Sequence, residues 1–118
     1  MIQSFRDMQV YRRSYDAAIE MYHMTGRFPR EELYGLTSQI KRAATSIPLN
    51  IAEGYGKRLT PDDFKRFLLM AMGSCNEMMV LLDMSKDLGM IEEEIHKRYV
   101  REYEEIGKML AVMRSRWQ

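Results

Sequence analysis

The stretch from Tyr34 to Gly56 constrains the fold of this chain more than any other part of it. Apolar side chains recur in it every three or four residues, which is the spacing of one face of an α-helix. They are Leu36, Ile40, Ala43, Ala44, Ile47 and Ile51. Pro48 lies inside the stretch and removes one backbone hydrogen bond, so either one kinked helix or two helices that meet there fit the pattern. Because the apolar stripe continues in phase past the proline, we favour one kinked helix.

The same stretch carries a second, polar stripe. It consists of Gln39, Arg42, Ser46, Asn50 and Glu53. At about 100° per residue this stripe lies roughly 110° from the apolar one, so it flanks the core face of the helix. A face that simply meets water is one interpretation. The stripe holds mainly amides and a hydroxyl, where a solvated face would hold Lys and Glu. It therefore favours an oligomer interface or a buried polar network, with Gly73, Ser74 and Glu77 close by and Glu77 as a plausible partner of Arg42.

Three further stripes at helical spacing predict three more helices. The first helix is capped by Ser4 or Asp7 and runs to about Thr25, with an inner stripe of Met8, Tyr11, Tyr15, Ala18, Ile19 and Tyr22. The third begins at Thr60 and Pro61, a residue pair typical of a helix start. Its inner face is Phe64, Phe67, Leu68, Ala71, Cys75, Met78, Leu81 or Leu82, and Ser85. The last helix holds one stripe of Ile91, Ile95, Tyr99, Tyr103, Ile106, Leu110, Met113 and Trp117.

Four amphipathic helices joined by short loops predict an all-α fold, an antiparallel up-down-up-down four-helix bundle. The 118 residues fit a single domain over residues 1–118. The pattern contains no alternation of apolar and polar residues that would indicate a strand.

The run Gly-Leu-x-Ser-Gln-x-basic-Arg-Ala-Ala-x-Ser-Ile-x-x-Asn-Ile-Ala-Glu-Gly over residues 35–54 resembles a known family. So do Thr25–Pro29, Phe64–Leu68 and Ala71–Glu77. The chain looks like the four-helix-bundle proteins encoded within intervening sequences of bacterial 23S ribosomal RNA genes. It is similar as well to the accessory variability protein of diversity-generating retroelements. The resemblance implies the same bundle and a homopentameric ring, but little about biochemical function.

The residues that carry chemistry do not form a catalytic pattern. The ligand types of a di-metal bundle are present, as Glu20, His23, Glu53, Glu77, Glu93 and His96. At helical spacing several of them point away from the core, so we predict no metal, no cofactor and no catalytic residue. The single cysteine, Cys75, lies on an apolar face without a histidine placed to activate it. One unpaired cysteine is typical of a reducing compartment, and we expect a cytoplasmic protein. No apolar run approaches the roughly 20 residues of a membrane span, so we expect no membrane partner.

Charge is distributed unevenly along the predicted bundle, although the net charge is only +1. The end that holds both termini and the loop between the second and third helices carries ten basic and four acidic residues, a net charge of +6. The opposite end carries five basic and eight acidic residues, or −3. Candidate nucleic-acid-binding residues at the basic end are Arg6, Arg12, Arg13, Lys57, Arg58, Lys65 and Arg66.

These observations predict a non-catalytic, oligomeric protein whose partners are further copies of itself and RNA or DNA. The basic end would bind the phosphate backbone without strong sequence preference. The alternative is a scaffold that binds a protein partner and no nucleic acid. The cations that follow helix C-termini are also explained by the helix dipole alone.

Overall fold

A computed structural model describes all residues of the chain, 1–118. Four α-helices pack against each other, and there are no strands. They are α1 (Gln9–Thr25), α2 (Leu36–Gly56), α3 (Pro61–Asp87) and α4 (Glu93–Arg116). Two short 3-10 turns, Phe5–Asp7 and Arg30–Glu32, precede α1 and α2. The molecule measures 44 × 23 × 21 Å. Its long axis therefore matches α3, whose 27 residues rise about 40 Å at 1.5 Å per residue.

Side chains fix where the helices begin and end. Ser4 accepts a hydrogen bond from the Arg6 amide, and Asp7 accepts one from the Ser4 amide. This capping box starts the first 3-10 turn, and α1 follows from Gln9. At the start of α2, Glu32 Oε1 accepts the Leu36 amide at 3.1 Å. Each of these bonds satisfies an amide that has no partner within its own helix.

The start of α3 and the middle of α2 bear on two predictions. Thr60 occupies the cap position of α3 with Pro61 after it, but its side chain makes no capping hydrogen bond. Its backbone carbonyl accepts the Phe64 amide instead, at 3.2 Å. α2 runs without interruption through Pro48, which is buried. The prediction of one helix in place of two is therefore confirmed.

The predicted inner faces of α2, α3 and α4 form the core. On α3 every predicted inner residue from Phe64 to Ser85 is buried. On α4 the stripe is fully buried at its centre, where Tyr103, Ile106 and Leu110 are each 0% exposed. The stripe is half-buried towards both ends of the helix. These helices each carry a single apolar stripe, so burial and sequence pattern agree.

The predicted inner face of α1 is only partly correct. Met8 and Ala18 are buried as predicted, and Tyr11 is half-buried. Tyr15, Ile19 and Tyr22 are exposed, and the buried residues of α1 are Val10, Ser14, Ala17, Ala18, Met21 and Thr25. The buried face is rich in small residues, which allow neighbouring helices to approach closely, and Tyr15 and Tyr22 lie in an exposed band beside it. The error followed from ranking the larger side chains as the core.

α3 is also long and apolar enough, by length and composition alone, to span a membrane. In its most apolar 18-residue window, 39% is buried inside the bundle. Core helices of soluble proteins meet the same test, so this finding does not assign α3 to a membrane. It does show that apolar residues on α3 extend beyond its core face.

Candidate nucleic-acid interface

Close packing at one glycine holds the turn between α2 and α3. A Cβ atom added at Gly54 would lie 2.7 Å from Phe67 Cβ and 2.9 Å from Phe64 Cδ1. The Phe64 ring also packs edge-on against Tyr55 and Trp117, at centroid distances of 6.5 and 4.5 Å. The end of α2, the first turn of α3 and the end of α4 thus meet in one aromatic cluster.

Basic side chains form cation–π contacts with the rings of this region. Lys57 Nζ lies 5.8 Å and Arg66 Cζ 4.9 Å from the centroid of the Phe67 ring. The guanidinium of Arg58 lies 4.1 Å from the Tyr55 ring, and Arg58 Nη1 donates to the Tyr55 carbonyl at 3.0 Å. A cation over an aromatic face is attracted by the ring quadrupole, so these charges are held in defined positions.

Of these cations, only Arg66 lies within ion-pair distance of an acidic residue. Arg66 lies 3.8 Å from Asp63, and both side chains are largely exposed, so the pair contributes little. Lys57, Arg58 and Lys65 form no ion pair within the chain. We call Lys57, Arg58, Lys65 and Arg66 the basic turn. It presents four positive charges on the surface around one loop.

The N-terminal candidates divide into one surface cation and two structural ones. Arg6 is exposed and packs 4.6 Å from the Phe5 ring. Arg12 Nη1 donates to the carbonyls of Arg6 and Asp7 at 3.2 and 3.1 Å. Arg12 therefore ties the 3-10 turn to α1.

Arg13 is engaged between α1 and α4. Its Nη2 and Nε lie 2.7 and 3.1 Å from the two carboxylate oxygens of Glu102, a bidentate arrangement, and its Nη1 contacts Met109 Sδ at 3.5 Å. The hydrogen bond to Glu102 raises the pKa of Arg13. Both side chains are about two-thirds buried. Of the candidate cations, Arg13 is the least available to a ligand.

Part of the polar stripe on α2 joins α2 to α3 within the subunit. Ser46 Oγ donates to Ser74 Oγ at 2.6 Å, and Arg42 pairs with Glu77. Asn50 Nδ2 donates to the Ser46 carbonyl at 2.8 Å, one turn back along the same helix. The Arg42–Glu77 pair is the one that the sequence suggested. The two ends of the stripe, Gln39 and Glu53, are exposed and make no side-chain hydrogen bond.

The residues considered for a metal site lie apart. Glu20 accepts hydrogen bonds from Arg98 and Tyr99 at 3.0 and 3.1 Å, and His96 Nε2 lies 2.7 Å from Asp83. No group of three or more His, Cys, Asp or Glu side chains is placed to hold a metal ion. Glu20 and Asp83 instead pair with neighbouring side chains.

Cys75 is buried and unpaired. Burial raises its pKa to about 12, because the interior disfavours the thiolate. A nucleophilic cysteine reacts as the thiolate. The structure therefore places Cys75 with the core residues.

Two features of this region were missed by sequence reasoning. One is the pair of aromatic rings, Tyr55 and Phe67, over which the cations lie. The position of Tyr55 close to Lys57 and Arg58 in the sequence could have indicated this contact. The other is an open apolar groove between α1 and α2, because Tyr15, Ile19 and Tyr22 were assigned to the core. No pattern in the sequence separated the two stripes of α1.

Comparisons with known proteins agree with the fold. The sequence model of the family described as 23S rRNA-intervening sequence protein matches residues 6–112. The matched range begins at Arg6 and includes α1, α2, α3 and most of α4. No curated protein gives a significant match to the chain.

Proposed function

The chain belongs to the 23S rRNA-intervening sequence protein family, and from this premise we propose that it is a non-catalytic protein that self-associates and binds RNA or DNA backbone through the basic turn. The observation that carries the proposal is the set of four cations around the α2–α3 loop, three of which form no ion pair. Phosphate contacts by Lys and Arg supply most of the sequence-independent affinity for nucleic acid. The family's name, which refers to a ribosomal RNA gene, is consistent with a nucleic-acid partner.

The proposal includes an up-down-up-down arrangement of the helices. Side-chain pairs between neighbouring helices support it. Arg42 of α2 contacts Glu77 of α3, and Ser46 of α2 contacts Ser74 of α3. Residue numbers therefore increase along α2 in the direction in which they decrease along α3, so the two helices are antiparallel. Arg13 and Glu20 of α1 pair in the same reversed order with Glu102 and Arg98 of α4. In this arrangement Arg6 lies at the same end as the basic turn.

We also propose that the protein forms a ring of several copies, a homopentamer being the state that the family resemblance implies. In a ring with one orientation, the basic turns of all copies lie on one rim. Their fields then add over a larger surface, which favours a long polyanion over a single phosphate group. Linked sites also raise the overall affinity without any new contact.

Binding to RNA and DNA of random sequence, measured by fluorescence anisotropy at several salt concentrations, tests the nucleic-acid part. The test variant replaces Lys57, Arg58, Lys65 and Arg66 with Ala. The matched control replaces Arg27, Arg30, Lys86 and Lys97 with Ala, which removes the same charge elsewhere. Each phosphate contact contributes about 0.9 to the slope of log affinity against log salt for B-DNA. We expect the test variant to lose affinity and slope, and the control to keep most of both.

Two results would end this proposal. One is no detectable binding of the unmodified protein at low salt. The other is equal loss in the test and control variants, since this would mean that net charge alone was measured.

A protein-binding scaffold without nucleic acid is the second candidate. The near-neutral net charge of +1 and the exposed apolar groove between α1 and α2 favour it. Under this alternative, a specific protein partner is retained after nuclease treatment, and the charge variants leave that partner bound. Loss of the partner on nuclease treatment would support the first candidate.

A further inference from the structure

An apolar groove between α1 and α2 has no occupant within the subunit. Its volume is about 460 Å³. Tyr11, Tyr15, Ile19 and Tyr22 line it from α1, and Pro48 and Leu49 are among the residues that line it from α2. Tyr15 and Leu49 are 49% and 65% exposed. We call this surface the α1–α2 groove. Contiguous exposed apolar surface of this kind marks an interaction site.

A second apolar surface lies on α3, on the side opposite the core. It consists of Leu69, Gly73, Val80 and Met84. At about 100° per residue these four positions fall within a sector of roughly 60°, turned away from the buried residues of the same helix. Leu69 and Val80 are 50% and 58% exposed. We call this surface the α3 ridge. The α3 ridge accounts for the apolar residues that α3 carries outside its core face.

Gly73 supplies an independent observation at the centre of the α3 ridge. A Cβ atom added there would meet no atom of the subunit within 4 Å. Glycine inside a helix is less favourable than alanine, so packing within the subunit gives no reason for it. A glycine on the outer face of a helix does allow the backbone of a neighbouring molecule to approach closely. The missing side chain therefore indicates a partner on this face.

We propose that the α3 ridge of one copy of this chain occupies the α1–α2 groove of the next copy. The inference rests on the self-association in the proposed function and names the surfaces that carry it. The two surfaces are similar in length. Leu69 to Met84 rises about 22 Å and Tyr11 to Tyr22 about 17 Å, and Phe5 extends the groove further.

The charges next to these two surfaces are of opposite sign, although both acidic groups on α3 also have a partner within the subunit, Arg42 for Glu77 and His96 for Asp83. Between Leu68 and Met84 the only charged residues are Glu77 and Asp83, and both are acidic. Beside the groove, Lys41 Nζ lies 4.7 Å from the ring of Tyr22, and no acidic residue lines the groove. A second copy therefore meets no like-charge barrier at this contact.

The contact joins two different surfaces, so it is heterologous. Each copy offers one groove and one ridge, and repeated contacts form either a closed ring or an open filament. The sequence suggested either an oligomer interface or a buried polar network for the polar stripe on α2, and this contact leaves the stripe with a network inside the subunit. Its central residues, Arg42 and Ser46, join α2 to α3 inside the subunit, and the apolar surfaces on either side meet the neighbouring copies.

Light scattering after size-exclusion chromatography tests the contact, with the full chain, nuclease treatment and high salt to remove bridging nucleic acid. Leu49→Glu places a charge in the groove, and Val80→Glu places one on the ridge. Val112→Glu is the matched control, because Val112 is a similarly exposed valine (47%) on α4, away from both surfaces. Burying an unpaired carboxylate is strongly unfavourable. We expect Leu49→Glu and Val80→Glu each to weaken self-association about a hundred-fold or more, and Val112→Glu to leave the oligomer mass unchanged.

A mixture of the two variants gives a sharper test. The Leu49→Glu protein keeps an intact ridge, and the Val80→Glu protein keeps an intact groove. Mixed together, they are expected to form a dimer of one copy of each, whereas each alone stays monomeric. A mixture that remains monomeric overturns the heterologous contact.

The remaining outcomes separate this inference from the proposed function. If the unmodified protein is monomeric, both the self-association and the contact are wrong. If it is oligomeric and either glutamate variant keeps the full mass, only the assignment of the surfaces is wrong. A foreign protein that binds the groove while self-association survives Leu49→Glu would also overturn it. Circular dichroism spectra that match the unmodified protein show that the variants remain folded.

Discussion

Replacing Gly54 with alanine is expected to destabilise the protein, although the same change inside a helix is normally favourable. The new Cβ would lie 2.7 Å from Phe67 Cβ and 2.9 Å from Phe64 Cδ1. Both phenylalanines are buried in the cluster that joins α2 to α3, so neither ring can swing into solvent. Overpacking of this kind costs about 1–3 kcal/mol. The gain in helix propensity offsets about 1 kcal/mol of that cost.

The net expectation is a loss of up to about 2 kcal/mol in the free energy of unfolding, from the overpacking cost less the propensity gain. For a chain of this length each 1 kcal/mol lowers Tm by about 4 °C. Gly107→Ala is the matched control. It lies inside α4, and its Cβ would make only an ordinary contact, 3.9 Å from Cys75 Cβ. That substitution is expected to raise stability by about 0.5–1 kcal/mol.

Urea unfolding followed by far-UV circular dichroism measures both variants. All samples need the same protein concentration, because the self-association proposed above would make the apparent stability depend on it. An unchanged slope with urea shows that the compactness of the two states is unaffected. If Gly54→Ala proves as stable as Gly107→Ala, close packing at Gly54 does not hold the α2–α3 turn and the reasoning fails.

Two further predictions concern buried groups on α3 and α4. Tyr103 has a fully buried hydroxyl with no hydrogen-bond partner, so Tyr103→Phe is expected to be neutral or to stabilise by about 1 kcal/mol at pH 7; a loss of more than that amount would show that the hydroxyl has a partner. Burial raises the pKa of Tyr103, because the interior disfavours the phenolate. Ionisation of Tyr103 therefore leaves the free energy of unfolding unchanged below the unfolded pKa of about 10 and lowers it as pH rises above that value. Urea unfolding at pH 7 and pH 10.5 should show a smaller alkaline loss for Tyr103→Phe than for the unmodified protein. Burial also raises the pKa of Cys75 to about 12, so a thiol reagent at pH 8 is expected to modify it only as fast as the protein opens, and rapid stoichiometric labelling of the folded protein would contradict its burial.

The buried face of a helix was predictable from the sequence where the helix carries a single apolar stripe. α3 and α4 were assigned correctly because their apolar residues form a single band at helical spacing. α1 has two adjacent bands, the aromatic one with Tyr15 and Tyr22 and the small one with Ser14 and Ala17. Which band faces the core depends on how closely the neighbouring helices approach, and that distance is set by the whole bundle, so local pattern could not decide it.

The sequence predicted which basic residues form the candidate site, but not which of their charges are free to bind a ligand. Lys57, Arg58, Lys65 and Arg66 are visible in the sequence as a basic cluster near one loop. The bidentate pair of Arg13 with Glu102 joins residues 89 positions apart and depends on the rotation of two helices. Sequence spacing therefore placed Arg13 among the surface cations, although its charge is already matched inside the bundle.

The rings of Tyr55 and Phe67, which lie beneath the basic turn, affect the entropy change on binding. Long basic side chains usually lose rotamer freedom when they bind, at about 0.5–1.5 kcal/mol for each side chain that becomes ordered. Lys57, Arg58 and Arg66 already rest on the rings of Phe67 and Tyr55 in the free protein. Much of this ordering is thus completed during folding. Three of the four cations of the basic turn are preorganised in this way, and the affinity proposed for a polyanion should exceed that of four equally exposed cations on a mobile segment.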